Sequence, residues 1–224
     1  MNYDDLLKEF SLNDHQLLAL KKYSELLVEW NEKFNLTAIL EVKDIYLKHF
    51  YDCLLVAKNY NLHGSLIDVG TGAGFPGIIL KIYQPDLCVT LLEPNSKKCI
   101  FLNEVIKTLN LENIEVINQR AEDLELREYY DFASARGVSQ LNILLEIIAP
   151  LLKVNGHFLA MKGPKAKQEV LESANALELL NCQINDIKEF VYDDNQRSII
   201  DITKTKVTSS KYPRHYSKIK KKPL

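Results

Sequence analysis

Residues 66–77 read LIDVGTGAGFPG. Leu66, Ile67 and Val69 make a short apolar strand around Asp68, and four of the next eight residues are glycine. An apolar strand, a glycine loop and a helical pattern from Gly77 are the parts of a nucleotide-binding turn. Downstream the same alternation repeats. Strand-like runs cover 66–69, 88–92, 114–117, 131–135 and 157–161; helical stretches cover 77–83, 96–109, 141–152 and 166–180. Strands alternating with helices predict an α/β fold with a doubly wound, Rossmann-like, mostly parallel sheet. Residues 187–205, IKEFVYDDNQRSIIDITKT, read as strand, polar turn, strand, and so predict a C-terminal antiparallel hairpin closing the sheet.

Upstream, the rhythm is helical. Residues 13–35 place Leu17, Leu20, Leu27, Trp30 and Phe34 near one face, with Asn13 as N-cap. Residues 41–61 give a second helix with Leu47, Phe50, Leu54 and Leu55 inward. Three parts follow: a helical cap over 1–64, the sheet domain over 65–208 and a basic tail over 209–224. The 224 residues suffice for one α/β domain with such an extension. No apolar run approaches the roughly 18 residues of a membrane span, and the acidic start MNYDDLLKEF is unlike a secretory signal. Cys53, Cys88, Cys99 and Cys182 are widely spaced in apolar segments, which predicts four buried thiols and no metal site. The expected location is the cytoplasm, and nothing demands an oligomer.

The net charge of −2 hides an asymmetry. Eight of the 28 Lys and Arg, and none of the 30 Asp and Glu, lie beyond Asp201, leaving 20 basic against 30 acidic residues in the first 201. An acidic body with a basic end suggests a polyanionic partner met at one edge.

The glycine loop has two registers against the dinucleotide fingerprint G-x-G-x-x-G. Counted from Gly70, the third glycine is Phe75, where close helix–strand packing needs a small residue. Counted from Gly72, the letters match, but Gly70 then sits where the strand should be apolar. Asp68 at the entrance would repel a pyrophosphate, which seeks helix N-terminal N–H groups. S-adenosylmethionine carries an ammonium and a sulfonium, so a nearby carboxylate suits it. Asp68, Gly70 and Gly72 are therefore its candidate contacts. Glu93, ending the second strand, can accept from ribose hydroxyls. Glu122 and the backbone of Ala121, after the third, can accept from an adenine amino group. An NAD-dependent oxidoreductase is the weaker reading of the same loop.

These stretches resemble the RsmG (GidB) methyltransferase family. The resemblance runs through EWNEKFNLTAI (29–39), HFYDCL (49–54), DVGTGAGFPGIIL (68–80), RAED (120–123), ARGV (135–138), PLLKVNG (150–156), MKGP (161–164) and KYPR (211–214). It implies a class I methyltransferase sheet, S-adenosyl-L-methionine as cofactor, and a guanine of small-subunit ribosomal RNA as the acceptor at nitrogen 7. The small ribosomal subunit is the alternative form of that partner. It also implies cofactor contacts at Gly70, Phe75, Ala121, Glu122 and Arg136. The chain departs from the family at Cys53, at Gly137 and in the HYSKIK tail (215–220).

Nitrogen 7 is a bare lone pair, so no general base is needed, and placement supplies the catalysis. Arg136, Lys162 and Arg197, at strand ends, are the candidate catalytic cations. Lys204, Lys206, Lys211 and Arg214, interleaved with Tyr212 and Tyr216, are the candidate RNA grip. Asn31, Asn35, His49 and Asp52 read as a polar network between cap and sheet. His49 and Asp52 are three apart on one helical face, close enough to bond. Transfer to another RNA or to a small molecule is the alternative activity.

Overall fold

The computed structural model describes residues 8–224. Seven strands form one sheet: β1 (Ser65–Val69), β2 (Cys88–Leu92), β3 (Ile114–Ile117), β4 (Tyr130–Arg136), β5 (Leu152–Lys162), β6 (Cys182–Tyr192) and β7 (Asn195–Lys204). Their order is β3-β2-β1-β4-β5-β7-β6. The first five are parallel; β7 runs antiparallel to both β5 and β6. The strand order reverses between β1 and β4, which places the switch point beside the glycine loop.

The helices are α1 (Asp14–Phe34), α2 (Val42–Ile45), α3 (Asp52–Asn59), α4 (Gly77–Tyr83), α5 (Ser96–Thr108), α6 (Leu141–Ile148), α7 (Ala166–Glu172), α8 (Ala174–Leu179) and α9 (Tyr216–Lys221). Asn13 caps α1 through a reciprocal box with Gln16. The Gln16 amide also donates to the carbonyls of Ile82 and Tyr83, pinning the start of α1 to the end of α4. Leu20, Tyr23 and Leu27 on α1 are fully buried against Phe75, Ile78 and Phe101, so the helical extension shares one core with the sheet domain.

The predicted second helix is interrupted. Tyr46–Tyr51 is a π-helical turn between α2 and α3. π turns widen a helix and are concentrated at functional sites; this one carries Lys48 and His49. α6 ends at Ile148, earlier than predicted, because β5 begins at Leu152. The stretch 166–180 is two helices, broken at Ser173, whose hydroxyl bonds back to the Glu169 carbonyl. The β6–β7 turn is Asp193–Asp194, with φ of 44° and 61°, a conformation acidic side chains tolerate in tight hairpins.

The tail is not a free arm. Tyr212 and Ile219 are buried with Leu144 and Ile148 of α6 in a second hydrophobic cluster, separate from the one shared with α1. Arg127 donates to the carbonyls of Tyr212 and Thr208. Glu146, on the mostly apolar α6, is fully buried, and Arg214 meets it with Nε at 2.7 Å and Nη2 at 2.6 Å. Two predicted RNA-binding residues are thereby corrected. Arg214 is the partner of a buried carboxylate. Lys204 is fully buried, donating to the Leu152 carbonyl at 2.7 Å with Glu128 at 3.0 Å. Each sits where its charge is matched inside the domain. Lys206 and Lys211 stay exposed, as do Lys218, Lys220, Lys221 and Lys222. The thiol expectation is corrected too: Cys53 and Cys99 are buried, Cys182 is half-buried and Cys88, opening β2, is exposed. Among the described residues, no helix is long and apolar enough to cross a membrane.

Candidate active site

The loop after β1 bends because its glycines adopt left-handed backbone. Gly70 has φ +67°, and a Cβ there would lie 2.8 Å from Val138. Gly74 has φ +103°, and a Cβ would meet Ile78 and the Tyr23 hydroxyl at 2.5 Å. The Tyr23 hydroxyl donates to the Ala73 carbonyl, so α1 clamps the loop from the cap side.

Asp68 clamps it from beneath. Its carboxylate is fully buried and accepts from the Thr71 hydroxyl at 2.6 Å, the Gly77 N–H at 2.8 Å and the Ser134 hydroxyl at 3.0 Å. Burial pushes its pKa up to about 6, against the lowering effect of those three donors. The expected direct cofactor contact through Asp68 is therefore corrected: the group holds the loop's shape and is sealed under it. The Phe75 side chain is also turned away from the expected role. It is buried in the cap, stacked on His49 at 4.5 Å between ring centroids, with the Arg136 guanidinium 5.0 Å from its ring.

Glu93 and Glu122 keep acceptor capacity that their protein partners do not use. Glu93 accepts from the Gly72 and Asn95 N–H groups, one per oxygen, and a carboxylate has further lone pairs for a diol. Glu122 follows β3 in a single 3-10 turn, Ala121–Asp123. Its Oε1 is buried without a hydrogen-bond partner among the described residues; the Arg120 guanidinium lies 3.7 Å away. A buried acceptor left unpaired is costly unless a ligand supplies the donor. An adenine amino group is such a donor, and the diol acceptor sits one strand away. The residues fit an adenosine with no anionic phosphate.

Next to this cradle lies a cleft of about 460 Å³, lined by Lys48, His49, Asp52, Arg136, Lys162, Glu169 and Arg197 among others. It gathers all three predicted catalytic cations. Arg136, at the end of β4, donates to the Lys48 carbonyl and Asp52 at 3.1 Å, and faces His49 Nδ1 at 2.9 Å. Arg197 Nε lies 3.7 Å from the same Asp52 carboxylate. Lys162 is bonded to the Ser139 carbonyl and Glu169, both at 2.7 Å. His49 and Asp52 do not bond each other; both hold Arg136. Asn31 accepts from the Thr37 N–H, and Asn35 ends α1 in a left-handed conformation, both within the cap. A larger cleft, of about 530 Å³, lies by Pro85 and Asn113 at the amino ends of the strands. Ligands in open α/β sheets bind at the carboxyl ends instead.

Tyr23, Thr71, Ser134, Lys48 and Glu169 join the site without having been expected there. Of these only Glu169 has a signal in the sequence: an acid in the helix that follows the KGP turn.

Burial, then the Arg136 guanidinium, lowers the His49 pKa to about 3, so the ring is neutral. With Arg136 donating to Nδ1, the proton is on Nε2, facing Thr37 at 3.1 Å. An unfolded histidine protonates near 6.5. The folded state thus binds fewer protons between pH 6.5 and 3, and this stabilisation, complete above 6.5, falls as pH drops through that window. His49→Asn should remove the dependence. The stability gap between variant and wild type then narrows by roughly 1 kcal/mol per pH unit on acidification. Urea titrations at pH 7, 6 and 5 check it; a constant gap would contradict it.

The sheet order and the glycine loop at its switch point define a Rossmann-like methyltransferase fold. A solved SAM dependent methyltransferase from Aquifex aeolicus superposes with TM-score 0.56 at 20% identity, over 71% of this chain and 93% of that one. The chain itself belongs to the GidB family, rRNA small subunit methyltransferase G, which matches residues 16–200. Curated relatives named Ribosomal RNA small subunit methyltransferase G are similar over nearly their whole length. The one from Desulforamulus reducens is 44% identical, over 96% of this chain and 93% of its own. The one from Caldanaerobacter subterraneus is 48% identical, over 91% and 88%.

Proposed function

We propose that this protein transfers a methyl group from S-adenosylmethionine to nitrogen 7 of a guanine in small-subunit ribosomal RNA. The observation that carries the cofactor is the buried Glu122 Oε1, without a hydrogen-bond partner among the described residues, one strand over from Glu93, which the Gly72 N–H ties to the glycine loop. Glu93 would hold the ribose hydroxyls, Glu122 the adenine amino group, and the Gly70–Gly74 backbone the methionyl part. Bound there, S-adenosylmethionine would supply an electrophilic methyl on a sulfonium, for which the nitrogen 7 lone pair is a suitable acceptor.

The protein's part is placement and field. Arg136 is fixed by Lys48, His49 and Asp52, so its guanidinium is preorganised at the cleft wall. Asp52, held between Arg136 and Arg197, tempers their charge, which favours an acceptor ring that becomes cationic. The protein acts as a monomer in the cytoplasm on this reading. The experiment is incubation with methyl-labelled S-adenosylmethionine and small-subunit particles, naked small-subunit RNA or transfer RNA. Label in the small-subunit RNA is expected; label only in transfer RNA, or none, would refute the substrate.

The exposed lysines of the tail supply the grip. Neutralising Lys206, Lys211, Lys218, Lys220, Lys221 and Lys222 to Ala should leave folding intact, because none is buried. The logarithmic salt slope of RNA binding should flatten by about 0.7 for each phosphate that the variant no longer neutralises. An unchanged slope would remove the tail from the footprint.

A further inference from the structure

The cleft holds two carboxylates with different fates. Asp52 has little exposure and lies between two guanidinium groups, 3.1 Å from Arg136 and 3.7 Å from Arg197. Glu169, on α7, is 21% exposed in its side chain. Its Oε2 accepts from the Leu141 N–H at 2.8 Å and from Lys162 at 2.7 Å. Its Oε1 has no partner among the described residues. Lys162 has spent two of its three ammonium hydrogens, on Ser139 and Glu169. The pair therefore presents one unused donor beside one unused acceptor, locked together in the wall of the cleft.

Guanine carries the complementary pattern on adjacent atoms: the O6 acceptor next to the N1–H donor. Adenine reverses it, with an amino donor next to a bare N1. The geometry points to Glu169 and Lys162 as the pair that reads the target base, Lys162 on O6 and Glu169 Oε1 on N1–H. This rests on the reaction proposed above and adds the base-discriminating contact. It also bears on rate. A methyl arriving at nitrogen 7 makes the ring cationic and N1–H more acidic, so a carboxylate acceptor holds that hydrogen more strongly in the transition state than in the ground state. Only such differential interactions speed the chemical step.

The test is Glu169→Gln in the full chain, with small-subunit particles as substrate. An amide oxygen can still accept from Leu141 and Lys162, but the free end becomes a donor facing N1–H. The single-turnover transfer rate should fall about 10- to 100-fold, the range for losing a hydrogen bond to a charged group. RNA affinity, S-adenosylmethionine affinity and Tm should hold. Glu169→Asp, which keeps a carboxylate, should recover part of the rate. A full rate in Glu169→Gln would overturn the base-reading role alone. So would a rate loss matched by loss of Tm or cofactor affinity, which would mark a structural residue. No guanine methylation by the unaltered protein would overturn the reaction and this contact together.

Discussion

Arg214→Ala is expected to lower the unfolding free energy by about 3–5 kcal/mol, the usual result of removing one partner from a buried ion pair. Glu146 is fully buried on α6, among Leu144, Leu145, Ile147 and Ile148. Without the Arg214 side chain its carboxylate loses its counter-charge and two charge-assisted bonds, keeping only the backbone N–H of residue 214 at 2.9 Å. Against a total stability of 5–15 kcal/mol this is a large fraction, and for a chain of this length it moves Tm by about 10 °C. Arg214→Met with Glu146→Leu should recover most of the loss, because well-packed apolar replacements of a buried pair are often neutral. Thermal unfolding of the single and double variants decides it. An unchanged Tm together with weakened RNA binding would make Arg214 a phosphate ligand instead.

The second large effect is at Asp68. Asp68→Ala strips the acceptor from the Gly77 N–H and the Thr71 and Ser134 hydroxyls, all in the interior. An orphaned buried donor costs about 1–3 kcal/mol, so the loss should reach about 2–4 kcal/mol, with S-adenosylmethionine binding abolished as the loop loses its anchor. Asp68→Asn separates shape from charge. Its oxygen can keep Thr71 and Gly77, its amide can donate to Ser134, and the desolvated charge is gone. Calorimetry should find cofactor affinity within a few-fold of wild type in the Asn variant. A loss as deep as in the Ala variant would restore the direct role for the charge.

These two residues mark where the sequence is legible and where it is not. Asp68 is visible because it interrupts an apolar strand at the loop entrance. What it touches depends on Ser134 from a neighbouring strand, 66 residues away. The parallel strands and α4 are readable because short apolar runs between glycine and polar turns carry local information; β2, β3 and α4 begin and end as predicted. The tail misleads because lysine and arginine count equally in a charge run. Only tertiary structure tells that Lys204 and Arg214 are matched inside while Lys206 and Lys211 face water. The π turn leaves no mark in residues 41–61, whose apolar spacing suits an uninterrupted helix. Tyr23 is hidden for a similar reason: an amphipathic helix shows which face is inward, not which hydroxyl will reach the glycine loop.

The proposed reaction is defined by the atom that receives the methyl. Small-subunit RNA recovered after incubation with the protein and S-adenosylmethionine can be treated with borohydride and then aniline, which cleave the chain at 7-methylguanine. A new strand break at a guanine is expected, absent without the protein and strongly reduced with Glu169→Gln in single turnover. Methyl label in the RNA with no such break would contradict it, because the accepting atom would then be something other than nitrogen 7.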